Sequence, residues 1–201
     1  DAAQVLLTTE DVMARDHYTN ATAALGRLLS LGVVPIVNEN DAVTTRELRF
    51  GDNDRVAAII AQMVQADALV LLTDVDGLYT APPSRPGARL IERVDSTDDL
   101  MSVLVTGAGS KVGTGGMASK VQAATMASAS GIGVLLANAD KVEEALSGKG
   151  TGTWFAPTHE RPASRRLWIA HAAPSRGELV VDAGAARAIT VGKKSLLAAG
   201  V

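Results

Sequence analysis

Four short clusters in this 201-residue sequence carry side chains able to do chemistry together. Asn38-Glu39-Asn40-Asp41 and Gly51-Asp52-Asn53-Asp54 concentrate carboxylates and carboxamides, Thr73-Asp74 adds a hydroxyl and an acid, and KVGTGGMASK ends in Lys120 after glycines at 113, 115 and 116. A glycine-rich turn that opens a helix lets the backbone approach a ligand and aims N–H groups at an anion, which the helix dipole also favours. A lysine one turn into that helix would hold a cation over the same anion. The chemistry suggested is phosphate binding. The stretch lacks the G-x-x-x-x-G-K-[ST] spacing of a Walker loop. It does spell G-x-G-x-x-A from Gly113 to Ala118, but no strand runs directly into it and no ribose-binding acid follows, against a dehydrogenase.

Each cluster taken alone has a plainer reading. Asn and Asp after strands are common turn formers, and a glycine loop with a lysine can simply be solvated surface. Their recurrence at several element ends weighs against coincidence, because open parallel sheets bind ligands beyond the carboxyl ends of their strands. The spacing predicts those strands at 4–7, 33–37, 68–72 and 133–139, with 68–72 a continuous apolar run expected to be buried on both faces. Helices are expected from Thr8 or Thr9 to Gly32, over 55–67, over 99–104 and from 117 to Gly131. Ala24, Leu25, Leu28 and Leu29 are expected on one face of the first, and Asp54 is a candidate N-cap for the second. Thr153–Pro157 reads as an edge strand, and RLWIAH and GELVV as strands of a β-richer tail.

Cysteine is absent and the three histidines are isolated, so disulfides, thiol catalysis and a zinc site are not expected, in keeping with a reducing cytoplasm. His17 reads as helix surface, while His159 and His171 fall in the tail. The longest apolar runs are far short of the ~20 residues of a membrane span, and nothing resembles a secretion signal. Residues 1–156 carry 12 basic and 19 acidic side chains, a net of −7, whereas 157–201 carry 7 and 3, a net of +4. That asymmetry suits two units with different partners, RNA being one possibility for the basic tail, although no aromatic stacking platform accompanies it.

VVPIVNENDAV, FGDNDRVAA, QADALVLLTDVDGLYT and GTGGMASKVQAA, in this order and spacing, resemble the amino-acid kinase family, and the two Asn/Asp clusters point to its glutamate-phosphorylating branch. The resemblance implies a three-layer α/β sandwich with a mostly parallel sheet over 1–157, a junction at 158–176 and the start of a small β-rich PUA-like domain at 177–201. It implies ATP with Mg²⁺ as cofactors, L-glutamate as substrate, proline as feedback inhibitor, a homo-oligomer and no membrane partner. Asp41 and Asn53, with Asn38 nearby, would bind the amino acid. Thr73 and Asp74 would sit beside the base and ribose of ATP. Thr114, Gly115, Gly116, Met117, Ala118, Ser119 and Lys120 would follow its phosphates, with Lys120 stabilising the transferring group and Asp54 holding the active-site lysines. The alternatives are another acceptor (acetylglutamate, aspartate, carbamate or a nucleoside monophosphate) or a non-catalytic RNA-binding protein. The family's opening strand, glycine turn and early lysine have no counterpart here, on the order of a hundred residues. On the resemblance, the chain is therefore expected to be inactive alone.

Overall fold

The computed structural model describes residues 1–40, 53–96, 116–148, 150–157, 168–169 and 177–194. β1 (Ala2–Leu7) leads into a capping box, in which Thr8 Oγ1 accepts from the Asp11 amide and the Asp11 carboxylate accepts from the Thr8 amide at 2.7 Å. This closes the first turn of α1 (Thr9–Met13), which satisfies helix-end amides that would otherwise lack partners. Ala14 adopts an extended conformation, so the helix expected as one piece is split, and α2 (Arg15–Ser30) follows. Tyr18 and Leu25 of α2 are buried with Ala21 packed alongside, whereas Ala24 and Leu29 face outward. The stripe thus lies one position off the expected face. His17 sits on the exposed side, 3.5 Å from Asp11.

β2 (Val34–Glu39) pairs with β1 in parallel, from Ala2 opposite Val34 to Leu7 opposite Glu39. A second sheet has the order β3-β5-β6-β4, built from β3 (Ala68–Thr73), β4 (Arg93–Val94), β5 (Gly133–Asn138) and β6 (Thr153–Phe155). β3 and β5 are parallel, β6 runs antiparallel to β5, and β4 is parallel to β6. β6 is therefore flanked on both sides, not an edge, because Arg93–Val94 covers its far side. Conversely, among the described residues β3 ends its sheet, and Leu72 keeps 43% of its surface exposed where composition suggested burial on both faces.

Two helices cover the second sheet. α3 (Asn53–Met63) is joined to β3 by four residues, and α4 (Met117–Ala129) to β5 by three. Such short connections fold each helix back along its strand, so both helix N-termini lie at the carboxyl ends of β3 and β5. The helices approach closely through small residues, Ala58 and Ala61 on one and Ala123, Ala124 and Ala127 on the other, all buried with Leu71, Val134, Leu136 and Phe155. At their carboxyl ends, buried Gln62 donates to Ser130 Oγ at 3.0 Å. α3 also belongs to the other core, since Val56, Ile59 and Met63 pack with Val12, Tyr18 and Leu25. Gly133 has a packing reason to lack a side chain: a Cβ there would run into the Trp154 ring.

The tail departs from its expected strands. Residues 177–182 are not assigned to a strand, Leu179 and Val180 are 69% and 80% exposed, and α5 (Ala183–Thr190) follows, capped by Asp182. Trp168 and Ile169 are helical rather than extended, and the Trp168 indole donates to the Val12 carbonyl at 3.1 Å under the Arg15 guanidinium. The expected helix at 99–104 lies outside the described residues.

Candidate active site

Asp54 and Lys120, 66 positions apart in sequence, meet at the paired helix N-termini. The Lys120 ammonium lies 3.1 and 3.0 Å from the two Asp54 oxygens, and Ser119 Oγ donates to the same carboxylate at 2.8 Å. Their side chains keep only 17% and 14% of their surface exposed. Asp54 is the second residue of α3 rather than its cap, which still places its charge where the helix dipole favours an acid. Lys120 has no such favour. A cation in the first turn of a helix faces the positive end of the dipole, and here Asp54 offsets that repulsion. Lys120 and the two helix ends, each equivalent to roughly half a positive charge, outweigh the single carboxylate, leaving the site net positive. Gly116 precedes α4 with φ 61°, in the left-handed region, and a Cβ there would meet nothing within 4 Å. Met117 and Ala118 complete the first turn beside Ser119, whose hydroxyl also donates to the Gly116 carbonyl at 2.9 Å.

Thr73, the last residue of β3, donates to the Asp74 carboxylate at 3.0 Å, and its register partner is Asn138, the last residue of β5. The Asn138 amide donates to the Asp74 carbonyl at 3.4 Å, while its oxygen accepts from the Asp140 amide at 2.9 Å. Asp76 lies just beyond, 2.8 Å from the Lys141 ammonium. Hydrogen bonding to Lys141 holds the Asp76 carboxyl below its ordinary range, and the same bond raises Lys141. Asn53, exposed at the start of α3, borders the same cavity as Val37 of β2, whereas Asn38 alternates onto the opposite, exposed face of that strand. The structure thus joins Asp54 to Ser119 and Lys120, and separately Thr73 and Asp74 to Asn138, with Asn53 next to Asp54 at the start of α3. Asp41, Thr114 and Gly115 lie outside the described residues. The bond from Asn138 to Asp74 and the Asp76–Lys141 pair were not anticipated as site features. Sequence placed Asn138 at a strand end, but pairing across 64 and 65 positions carries no local signal.

A buried lysine–carboxylate pair at two helix N-termini, beside polar residues at the carboxyl ends of parallel strands, sits on an α/β fold. The chain belongs to the amino acid kinase family, whose model matches residues 1–138. A protein named glutamate 5-kinase from Bifidobacterium longum is 55% identical over 198 residues, covering 98% of this chain and 52% of that protein. Proteins of the same name from Salinispora arenicola and Streptomyces coelicolor are 54% and 52% identical, each over 98% of this chain. The chain spans about half the length of these relatives. Among solved structures, carbamate kinase from Giardia lamblia bound to AMP-PNP superposes with a TM-score of 0.53 at 22% identity, over 67% of this chain and 48% of that one. An isopentenyl phosphate kinase gives 0.50 at 21% identity, over 77% and 59%. At those identities the likeness shows the fold alone. Among the described residues no helix is long and apolar enough to cross a membrane.

Proposed function

We propose that the protein to which this chain belongs transfers the γ-phosphoryl group of ATP to the side-chain carboxylate of L-glutamate, giving γ-glutamyl phosphate and ADP. The observation that carries this reading is the Lys120–Asp54–Ser119 cluster at the paired helix N-termini, together with the names of the relatives. A carboxylate oxygen attacks the γ-phosphorus, the bond from that phosphorus to the bridging oxygen breaks, and its electron pair leaves with ADP. The acceptor, with a side-chain pKa of about 4.3, is already ionised at neutral pH, so no general base is required. What the reaction needs is relief of repulsion between two anions, alignment, and stabilisation of charge spreading over the phosphoryl oxygens. Lys120 and the amides of the turn at Gly116 supply the first and last. Asp54 and Ser119 hold Lys120 in place, acting as positioning residues.

Thr73 and Asp74 would border the base and ribose, with Asn138 fixing the Asp74 backbone. Asn53 and Asn38, with Asp41, would meet the amino acid. Among the described residues no group of three or more acidic or histidine side chains could hold a metal. A Mg²⁺ ion bound mainly by the nucleotide's own phosphates suits that donor set, since this ion keeps most of its waters and needs few protein ligands. When bound it would neutralise phosphate charge. Inhibition by proline and a homo-oligomer accompany this reading only by family resemblance.

The test replaces the matching stretch of the Bifidobacterium longum relative with this chain and measures ADP release against a panel of acceptors. Glutamate should be preferred over acetylglutamate, aspartate, carbamate and UMP. Preference for any other acceptor would overturn the assignment.

A further inference from the structure

Residues 74–77 form a bend directly after β3. Both of its ends are anchored. Thr73 pairs with Asn138 in the ladder to β5. On the other side, buried Leu78 donates its amide to Thr153 Oγ1 at 2.8 Å, and fully buried Thr153 donates in turn to the Ile91 carbonyl at 2.6 Å. The middle of the bend is wetter, since Asp74 is exposed and Asp76 keeps 40% of its side-chain surface in solvent.

Three polar contacts reach this middle part from the end of β5. The Asn138 amide donates to the Asp74 carbonyl and to Asp76 Oδ1, but at 3.4 and 3.5 Å both bonds are close to the limit of useful geometry. The Asn138 oxygen is committed elsewhere, capping the 3₁₀ turn Ala139–Lys141 through the Asp140 amide at 2.9 Å. Lys141 ends that turn and reaches Asp76 Oδ1 at 2.8 Å, the shortest of the three contacts and a charge-assisted one. Hydrogen bonding to Lys141, more than that to Asn138 or Tyr79, holds the Asp76 carboxyl below its ordinary range. A half-exposed pair of this kind adds little to global stability. Its effect is local: it pins a four-residue bend whose first residue, Asp74, follows the last residue of β3.

We infer that Lys141 is a positioning residue for the nucleotide, fixing through Asp76 the bend that presents Thr73 and Asp74 to the base and ribose. This role rests on ATP being the phosphoryl donor and sitting at Thr73 and Asp74. Lys141 acts through Asp76 and not on the transferred group, so its effect falls on nucleotide affinity and spares the acceptor. A different role, as a bare positive charge attracting the triphosphate, predicts the opposite response at Asp76: removing that carboxylate would strengthen ATP binding, whereas loss of the clasp weakens it.

The test uses the joined chimera, in which this chain replaces the matching stretch of the Bifidobacterium longum relative. ATP binding is measured by calorimetry, and KM for ATP and glutamate by ADP release. Lys141→Met should weaken ATP binding by about threefold to fivefold, the scale of a half-exposed ion pair, and leave KM for glutamate within about twofold. Asp76→Asn should weaken ATP binding to the same extent, and the double variant should bind it no more weakly than either single one, because the two side chains act as a unit. Lys141→Arg keeps the charge and should restore affinity to within about twofold. Circular dichroism establishes that each variant is folded. Unchanged ATP affinity in Lys141→Met, tighter binding in Asp76→Asn, or a glutamate KM that rises as far as the ATP KM would each overturn the clasp. A parent chimera that binds no ATP at all would overturn the proposed function, and the role of Lys141 with it.

Discussion

Removing the Lys120 ammonium should cripple phosphoryl transfer while sparing glutamate binding. The ammonium lies 3.0 Å from an Asp54 oxygen, with both side chains about one-sixth exposed. At an effective dielectric of about 20, that separation corresponds to a gross attraction of about 5–6 kcal/mol before the desolvation of either ion is counted. What fixes where the ammonium points is geometric, since it lies 3.1 and 3.0 Å from both oxygens of one largely buried carboxylate. A preorganised donor aimed at developing charge contributes about 2.7–4 kcal/mol, so Lys120→Met in the joined chimera should lower kcat by ~10²–10³ with KM for glutamate little changed. Asp54→Asn keeps the ammonium but loosens its aim, and should cost ~10–10² in kcat. Because Asp54 acts through Lys120, the double variant should be no slower than Lys120→Met alone. Steady-state kinetics by coupled ADP release, with circular dichroism to establish folding, completes the cycle. Losses that multiply to ~10⁴ or more would mean that the two residues act separately, and the positioning role of Asp54 would be wrong.

Other expectations follow from the same geometry. Gly133→Ala drives a methyl group into the Trp154 ring and should lower stability by about 1–3 kcal/mol, read from the urea midpoint; an unchanged midpoint would contradict the close approach. Asp76 is held below its ordinary pKa, so its pairing with Lys141 favours the fold above the usual carboxylate range and is lost as pH falls through the lowered value. Lys141 is raised, so its share is present below the usual lysine range and is lost as pH rises through the higher value. Side-chain carboxyl NMR should show the Asp76 midpoint rising in Lys141→Met, and an unmoved midpoint would rule out the pair as its cause. The chain by itself should release ADP at under ~1% of the chimera's rate, and equal rates would show that the chain's own residues suffice for turnover.

Local chemistry made the core elements legible. The β-branched run at 33–37 and the capping signal at Thr8 yielded a strand and a helix start close to where periodicity put them. Lys120 could be placed one turn into its helix because Gly116 and the alanine-rich run beyond it mark a helix start. Position within a sheet was not legible. Ala68–Leu72 has the composition of an interior strand but ends its sheet among the described residues, and Thr153–Phe155 is flanked despite its proline stop. Composition reports what a strand can tolerate on its faces, while order depends on partners far away in sequence. GELVV has strand propensity and is not in a strand, so propensity alone did not decide its conformation. The Asp54–Lys120 contact rested on the resemblance to a family, since nothing local links residues 66 apart.

The central claim is that this rim carries a phosphoryl group to a carboxylate, and the acyl phosphate itself is the direct readout. Hydroxylamine intercepts acyl phosphates as hydroxamates. With ATP, glutamate and the joined chimera, γ-glutamyl hydroxamate should form in step with ADP and should fall with Lys120→Met. ADP release without hydroxamate, or hydroxamate formation undiminished when Lys120 is replaced, would contradict the account.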